Sequence, residues 1–264
     1  MVAASKLRRA QEKVVATRPY AREARRVLES IASRVDHTSH PLLTRRPGTA
    51  SGATMVIVIS SDRGLCGSLN ATTFKAALMA MRDWQAKGAS ISMSVIGSKA
   101  TAFFRRLPNP VLSQIQGIGD FPRVSQLVGT IKVMLDAYRE GKLDRLLLVH
   151  TTFVNTMTQK PEVVQLLPVE PVEDAGLQEH WDYIYEPEAS DILDAVLRRY
   201  IEALVYRGLV ENVASEMAAR MVAMKAATDN AGKLIGELQL VYNKARQAAI
   251  TKELAEIVGG AAAV

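Results

Sequence analysis

The residues best placed for chemistry sit where a strand pattern gives way to a helix pattern, in Ser61-Asp62-Arg63-Gly64-Leu65-Cys66-Gly67-Ser68-Leu69-Asn70. A glycine-bearing turn entering a helix can offer backbone N–H groups to a phosphate. This one contains neither GxxxxGK[ST] nor GxGxxG and has no lysine to meet a triphosphate, so two glycines permitting a tight turn is the simpler account. Cys66 could act as a nucleophile, but no histidine is tied to it by spacing, and a free cysteine more often packs as a small apolar group. His37 and His40 are three apart without a third ligand type nearby, and His150 and His180 with Glu179 or Asp182 have no defined spacing. The sequence therefore predicts no catalytic constellation, no metal site and no cofactor.

The elements around that turn read as an α/β domain. Thr54–Ser60 is an apolar strand, and Ala71–Lys87 after the turn is helical by spacing. Strands follow at Ile91–Ile96, Val111–Ile115, Leu143–Thr151 and Val163–Pro168, with helices after Gly97 and over Val124–Glu140. Alternating strands and helices predict a parallel, doubly wound sheet. Residues 37–53, rich in Pro, Gly, Ser and Thr, read as a linker, and residues 170–188 as an acidic irregular stretch.

Two helical tracts flank this domain. Ser190–Val258 contains no proline and is rich in Ala, Leu, Met, Glu, Lys and Arg, which cost least in a helix. At about 1.5 Å per residue such a helix is roughly 100 Å long, against about 40 Å for a compact domain of this size, so it is expected to project from its domain. A four-three spacing passes through Met217, Met221, Met224, Thr228, Ala231, Ile235, Leu238, Tyr242, Ala245 and Ala249, a coiled-coil seam of mostly small or medium residues. A second track in residues 1–36 passes through Ala3, Leu7, Ala10, Val14, Thr17, Ala21, Ala24, Leu28, Ile31 and Val35, with a kink expected at Pro19. An ordinary long helix folded back on its own domain accounts for such patterns equally well.

Charge is uneven. Residues 1–36 hold nine Lys/Arg against four Asp/Glu, whereas residues 190–264 hold nine of each. A basic segment points to a solvated face or to an acidic partner, nucleic acid or anionic lipid. Tyr20 is the only aromatic interleaved with the basic segment, which argues against single-strand binding. The single cysteine excludes an internal disulfide and fits a reducing compartment. No apolar signal segment opens the sequence and no uncharged window of about 18 residues occurs in the long helix, so a soluble chain is expected.

Three stretches carry more than pattern: MVAASKLRRAQ at 1–11, SSDRGLCGSLN at 60–70, and SEMAARMVAMKAATDNAGKLIGELQLVYNKARQAAITKELAEIVGGAAAV at 215–264. Together they closely resemble the gamma subunit of F-type ATP synthases. The resemblance implies an α/β fold in which an antiparallel coiled coil of N- and C-terminal helices carries an inserted Rossmann-like α/β domain. It divides the chain into 1–36, 37–189 and 190–264. It implies a rotor shaft without a catalytic site or cofactor, turning inside a head of alpha and beta subunits. The epsilon subunit and the proton-carrying membrane ring of c subunits are the other implied partners, at the cytoplasmic face of a bacterial inner membrane, without membrane insertion or nucleic acid. Gamma subunits commonly carry a further basic helical stretch before the segment corresponding to MVAASK, so the start at Met1 is expected to be a misassigned internal methionine. The resemblance places Met1, and near it Glu216 and Arg220, at an acidic part of a beta subunit, with Lys6, Arg8 and Arg9 as further contacts. Arg246 and Gln247 match a polar catch on a beta loop, Thr251 and Glu256 continue that face, and Gly259–Val264 match a small uncharged tip in an apolar bearing. Without the resemblance, an enzyme acting on a nucleotide-like ligand and a basic nucleic-acid module stay open.

Overall fold

A computed structural model describes residues 2–32, 52–169 and 189–262. Met1, His37, His40, most of the expected linker, the acidic stretch with Glu179, His180 and Asp182, and the last two residues of the tip lie outside them. The chain forms two compact units, Met1–Met221 and Val222–Val264.

The first unit is built on five strands: β1 (Thr54–Ile59), β2 (Ile91–Ile96), β3 (Val111–Ile115), β4 (Arg145–Phe153) and β5 (Gln159–Leu167). Their order in the sheet is β3-β2-β1-β4-β5. Every residue of β1 is buried, as expected for a central strand covered on both faces. The alternation of side chains divides the core in two. Met55, Ile57 and Ile59 pack with Ile131, Met134 and Tyr138 of helix α4 (Val128–Arg139) and with Leu197, Ile201 and Val205 of helix α5 (Ala189–Ala262). Val56 and Val58 face the other way, onto Phe74, Ala77 and Met81 of α2 (Leu69–Ala86) and Ala100 and Phe104 of α3 (Ser98–Phe104).

The expected strands are all present, and β1–β4 pair in parallel. The all-parallel expectation fails at β5, which runs antiparallel to β4. Only residues 154–158 join the two strands, too few for the crossover that a parallel neighbour needs. Asn155 makes the reversal: its Oδ1 accepts from the N–H groups of Met157 and Thr158 at 2.9 and 2.7 Å, the side-chain-closed turn that asparagine favours.

Helix α1 (Val2–Ala32) continues on both sides of Pro19, the position of the expected kink. Of its four-three track, Leu7, Ala10 and Val14 are buried. Leu7 clusters with Met217 and Ala218, and Ala10 and Val14 cluster with Val210, Val213 and Ala214.

The second unit is helical from Val222 to Ala262. From Met224 to Ala261 every residue is exposed, including Leu234, Ile235, Leu238, Leu240, Val241, Tyr242, Leu254, Ile257 and Val258.

Candidate partner-binding surfaces

The turn at 61–70 is laced shut by its own side chains. Asn70 leads the lacing: its Oδ1 accepts from the Ser61 N–H at 3.2 Å, and its Nδ2 donates to Ser61 Oγ at 2.7 Å and approaches Cys66 Sγ at 3.3 Å. Cys66 is buried in this lattice. Gly67 takes a φ of +58°, and Leu65 takes +64°, uncommon for a branched side chain, with that side chain 73% exposed. Asp62 binds the turn to its neighbours. Its Oδ1 accepts from the Ser98 N–H and Oγ, both at 2.9 Å, and from the Gly117 N–H at 3.2 Å, while Oδ2 faces the Gly119 N–H at 3.5 Å. Partial burial works to raise the Asp62 pKa, but these four donors outweigh it and hold the carboxyl below its ordinary value. The turn thus works as a fastener for the α3 start and the 117–119 loop.

Among the described basic side chains of α1, Lys6, Lys13 and Arg18 meet groups of their own unit. Lys6 Nζ pairs with Asp120 Oδ2 at 2.5 Å. Lys13 donates to the Pro122 carbonyl at 3.2 Å and lies 6.0 Å from the Phe121 ring centroid. Arg18 donates to the Phe153 carbonyl at 3.3 Å and reaches Glu211, whose side chain is wholly buried, at 3.8 Å. Glu211 also takes Arg207 Nε at 3.0 Å. Arg8 and Arg9 are exposed, with Arg8 only loosely paired to Glu12 at 3.4 Å. Of the expected α1 contacts, Arg8 and Arg9 present charge outward and Lys6 is engaged internally.

Glu216 and Arg220, one helical turn apart, form a largely buried pair at 2.5 Å. Arg220 Nη2 and Nε also donate to the Gly64 carbonyl at 3.2 and 3.4 Å. Burial drives the Glu216 pKa up, and the Arg220 guanidinium only partly offsets it. This pair therefore clamps the 61–70 turn onto α5. His150, buried on β4, has its pKa lowered chiefly by burial, against the pull of Glu211 and Glu162. Among the described residues, no group of three or more His, Cys, Asp and Glu could hold a metal ion, and no helix is long and apolar enough to cross a membrane.

In the second unit, Arg246, Gln247, Thr251 and Glu256 are exposed, and Glu256 faces the exposed Lys252 at 3.8 Å. Arg246 and Gln247 share a helix that offers apolar and polar side chains to solvent on all sides, a surface that a chain working alone does not keep.

The protein-family model described as "ATP synthase" matches residues 1–264. An ATP synthase gamma chain from Nitrosococcus oceani is 55% identical over 267 residues, covering 100% of this chain and 91% of that relative. The chain belongs to the ATP synthase gamma-chain family. Solved structures of low identity share the fold. A chain of the Euglena gracilis mitochondrial ATP synthase, in a structure with its OSCP, F1 and c-ring, matches with a TM-score of 0.62 at 18% identity, over 98% of this chain and 95% of that one. A chain of the Tetrahymena thermophila mitochondrial ATP synthase central stalk and c-ring matches with a TM-score of 0.55 at 20% identity, over 86% of this chain and 100% of that one.

Within this gamma-chain fold, Asp120, Lys13, Arg18 and Glu211 carry internal contacts that no local pattern marks, and Asp62, though inside the 61–70 turn, has a fastening role that the turn's composition does not show. Each acts through a partner far away in the chain, which no local spacing announces. The faint signal for Asp62 is its place beside Gly64 at the end of an apolar strand.

Proposed function

We propose that the chain is the rotor shaft of a rotary ATP synthase, passing torque between a proton-driven membrane ring and the nucleotide sites of beta subunits. The observation that carries this reading is the second unit: a helix with every residue from Met224 to Ala261 exposed, large apolar side chains included. Such a surface calls for surrounding partners, and membership of the gamma-chain family names the class. The division into 1–36, 37–189 and 190–264 belongs to the same reading, with α1 and α5 forming an antiparallel coiled coil. Its support is the reversed order of their contacts: Leu7 with Met217, then Val14 with Val210 and Val213.

The shaft makes no bonds itself. Alpha and beta subunits surround its helices, while the epsilon subunit and the c ring meet the sheet domain, at the cytoplasmic face of a bacterial inner membrane. Met1, Lys6, Arg8 and Arg9, together with Glu216 and Arg220, serve the lower contact with beta. Arg246, Gln247, Thr251 and Glu256 serve the upper one. Small seam residues such as Ala231, Ala245 and Ala249 keep the rod slim enough to turn in a narrow hole.

Co-purification tests this reading. The chain should be recovered with alpha and beta subunits in a 1:3:3 ratio and show no ATP turnover alone. Recovery free of both, or turnover by the isolated chain, overturns it.

A further inference from the structure

The outward face of α2 carries a feature that its place over the sheet does not explain. Its inward residues Phe74, Ala77 and Met81 fill the core. Its solvent face should then be polar, yet Leu78 and Met79 are exposed there, and Phe103 of α3 is exposed beside them. Phe103 stacks on Phe74 with ring centroids 4.8 Å apart and forms one wall of a groove of about 460 Å³. Ala71, Leu78 and Met79 line the rest, and among the described residues the charged ones lining it are Lys75 and Arg82. These two are seven positions apart, two helical turns and about 10 Å along the axis. Neither makes an ion pair with any other described residue.

We infer that this groove receives an acidic amphipathic helix from a partner chain of the assembly, an inference that rests on the central-stalk reading. An apolar floor bracketed by two cations two turns apart sets what fits. The occupant presents an apolar side chain to Leu78, Met79 and Phe103, with carboxylates about two turns apart to meet Lys75 and Arg82. A second copy of this chain would bring its own Lys75 and Arg82 against the first pair, which like-charge repulsion opposes. A flat anionic lipid surface would neutralise the cations but leave the recess between α2 and α3 unfilled.

The test uses the assembled enzyme in native membranes, with p-benzoylphenylalanine replacing the exposed Met79. Irradiation should link position 79 to one partner chain, within a segment that mass spectrometry maps to an acidic amphipathic helix. Lys75→Glu with Arg82→Glu should cut that adduct at least tenfold, and Lys75→Arg with Arg82→Lys should keep it. Adducts to lipid alone, adducts between two copies of this chain, or no adduct in an enzyme that still contains this chain with alpha and beta would each overturn the inference. If the chain is recovered without alpha and beta, the central-stalk reading itself fails, a result distinct from an empty groove in an intact complex.

Discussion

Arg220 and Gly64 stand 156 residues apart in sequence, yet Arg220 Nη2 donates to the Gly64 carbonyl at 3.2 Å while holding Glu216 at 2.5 Å. One guanidinium thus closes a loop from the strand end of the sheet to the long helix. Removing it strands a buried carboxylate and an unmet carbonyl at once. Arg220→Ala should cost about 2–4 kcal/mol in urea unfolding, since breaking a buried pair costs about 3–5 kcal/mol and this one keeps some solvent access. The sign with pH follows from Glu216, whose folded pKa is raised. Stability tied to it is fully present below its unfolded pKa and is lost as pH rises through the folded value. The deficit of Arg220→Ala should therefore be largest near neutrality and shrink in acid, and a deficit equal at both would contradict the assignment.

Asp62 predicts the opposite limb. Its folded pKa is held down by Ser98, Gly117 and Gly119 in spite of burial. Its contribution is present above the unfolded carboxylate pKa of about 4 and is lost as pH falls through the folded value. Asp62→Asn should lower stability at pH 7 by about 1–3 kcal/mol and flatten the acid side of the stability profile. Thermal melts between pH 3 and 7 on both proteins measure this.

Gly97 takes a φ of +103°, and a Cβ there would lie 2.4 Å from the Ser60 carbonyl oxygen. Its own N–H is committed to Ile115 at 2.8 Å, so the backbone cannot easily retreat. Gly97→Ala should cost at least about 2 kcal/mol, visible as a shifted urea midpoint with an unchanged slope.

Arg246 and Gln247 are exposed in the second unit. Arg246→Ala with Gln247→Ala should leave the circular dichroism spectrum and melting of the isolated chain unchanged and lower proton-driven ATP synthesis in membranes. Unchanged synthesis would remove them from the beta contact.

What the sequence made legible follows from which signals are local. Apolar runs marked the buried strands β1 and β4 within a few residues, because a strand buried on both faces needs continuous apolar side chains, as in Thr54–Ile59, and shorter apolar stretches marked β2 and the largely exposed edge strands β3 and β5. Strand direction carries no such mark, so β5 was expected parallel, although Asn155 in a short connection was a readable turn signal. The small-residue tracks placed Leu7, Ala10 and Val14 on the buried side of α1. The charge of that helix was less legible. Lys6, Lys13 and Arg18 read as an external basic face, but their partners Asp120, Pro122, Phe153 and Glu211 come from distant segments that only the fold brings near.

Rotation is the most direct test. Met157, 75% exposed at the β4–β5 turn, replaced by cysteine gives an accessible thiol, because Cys66 is buried. A gold rod attached there, on the complex immobilised through its beta subunits and supplied with ATP, should turn in one direction with pauses at three angles per revolution. A complex that hydrolyses ATP at its normal rate while the rod stays still would contradict the account.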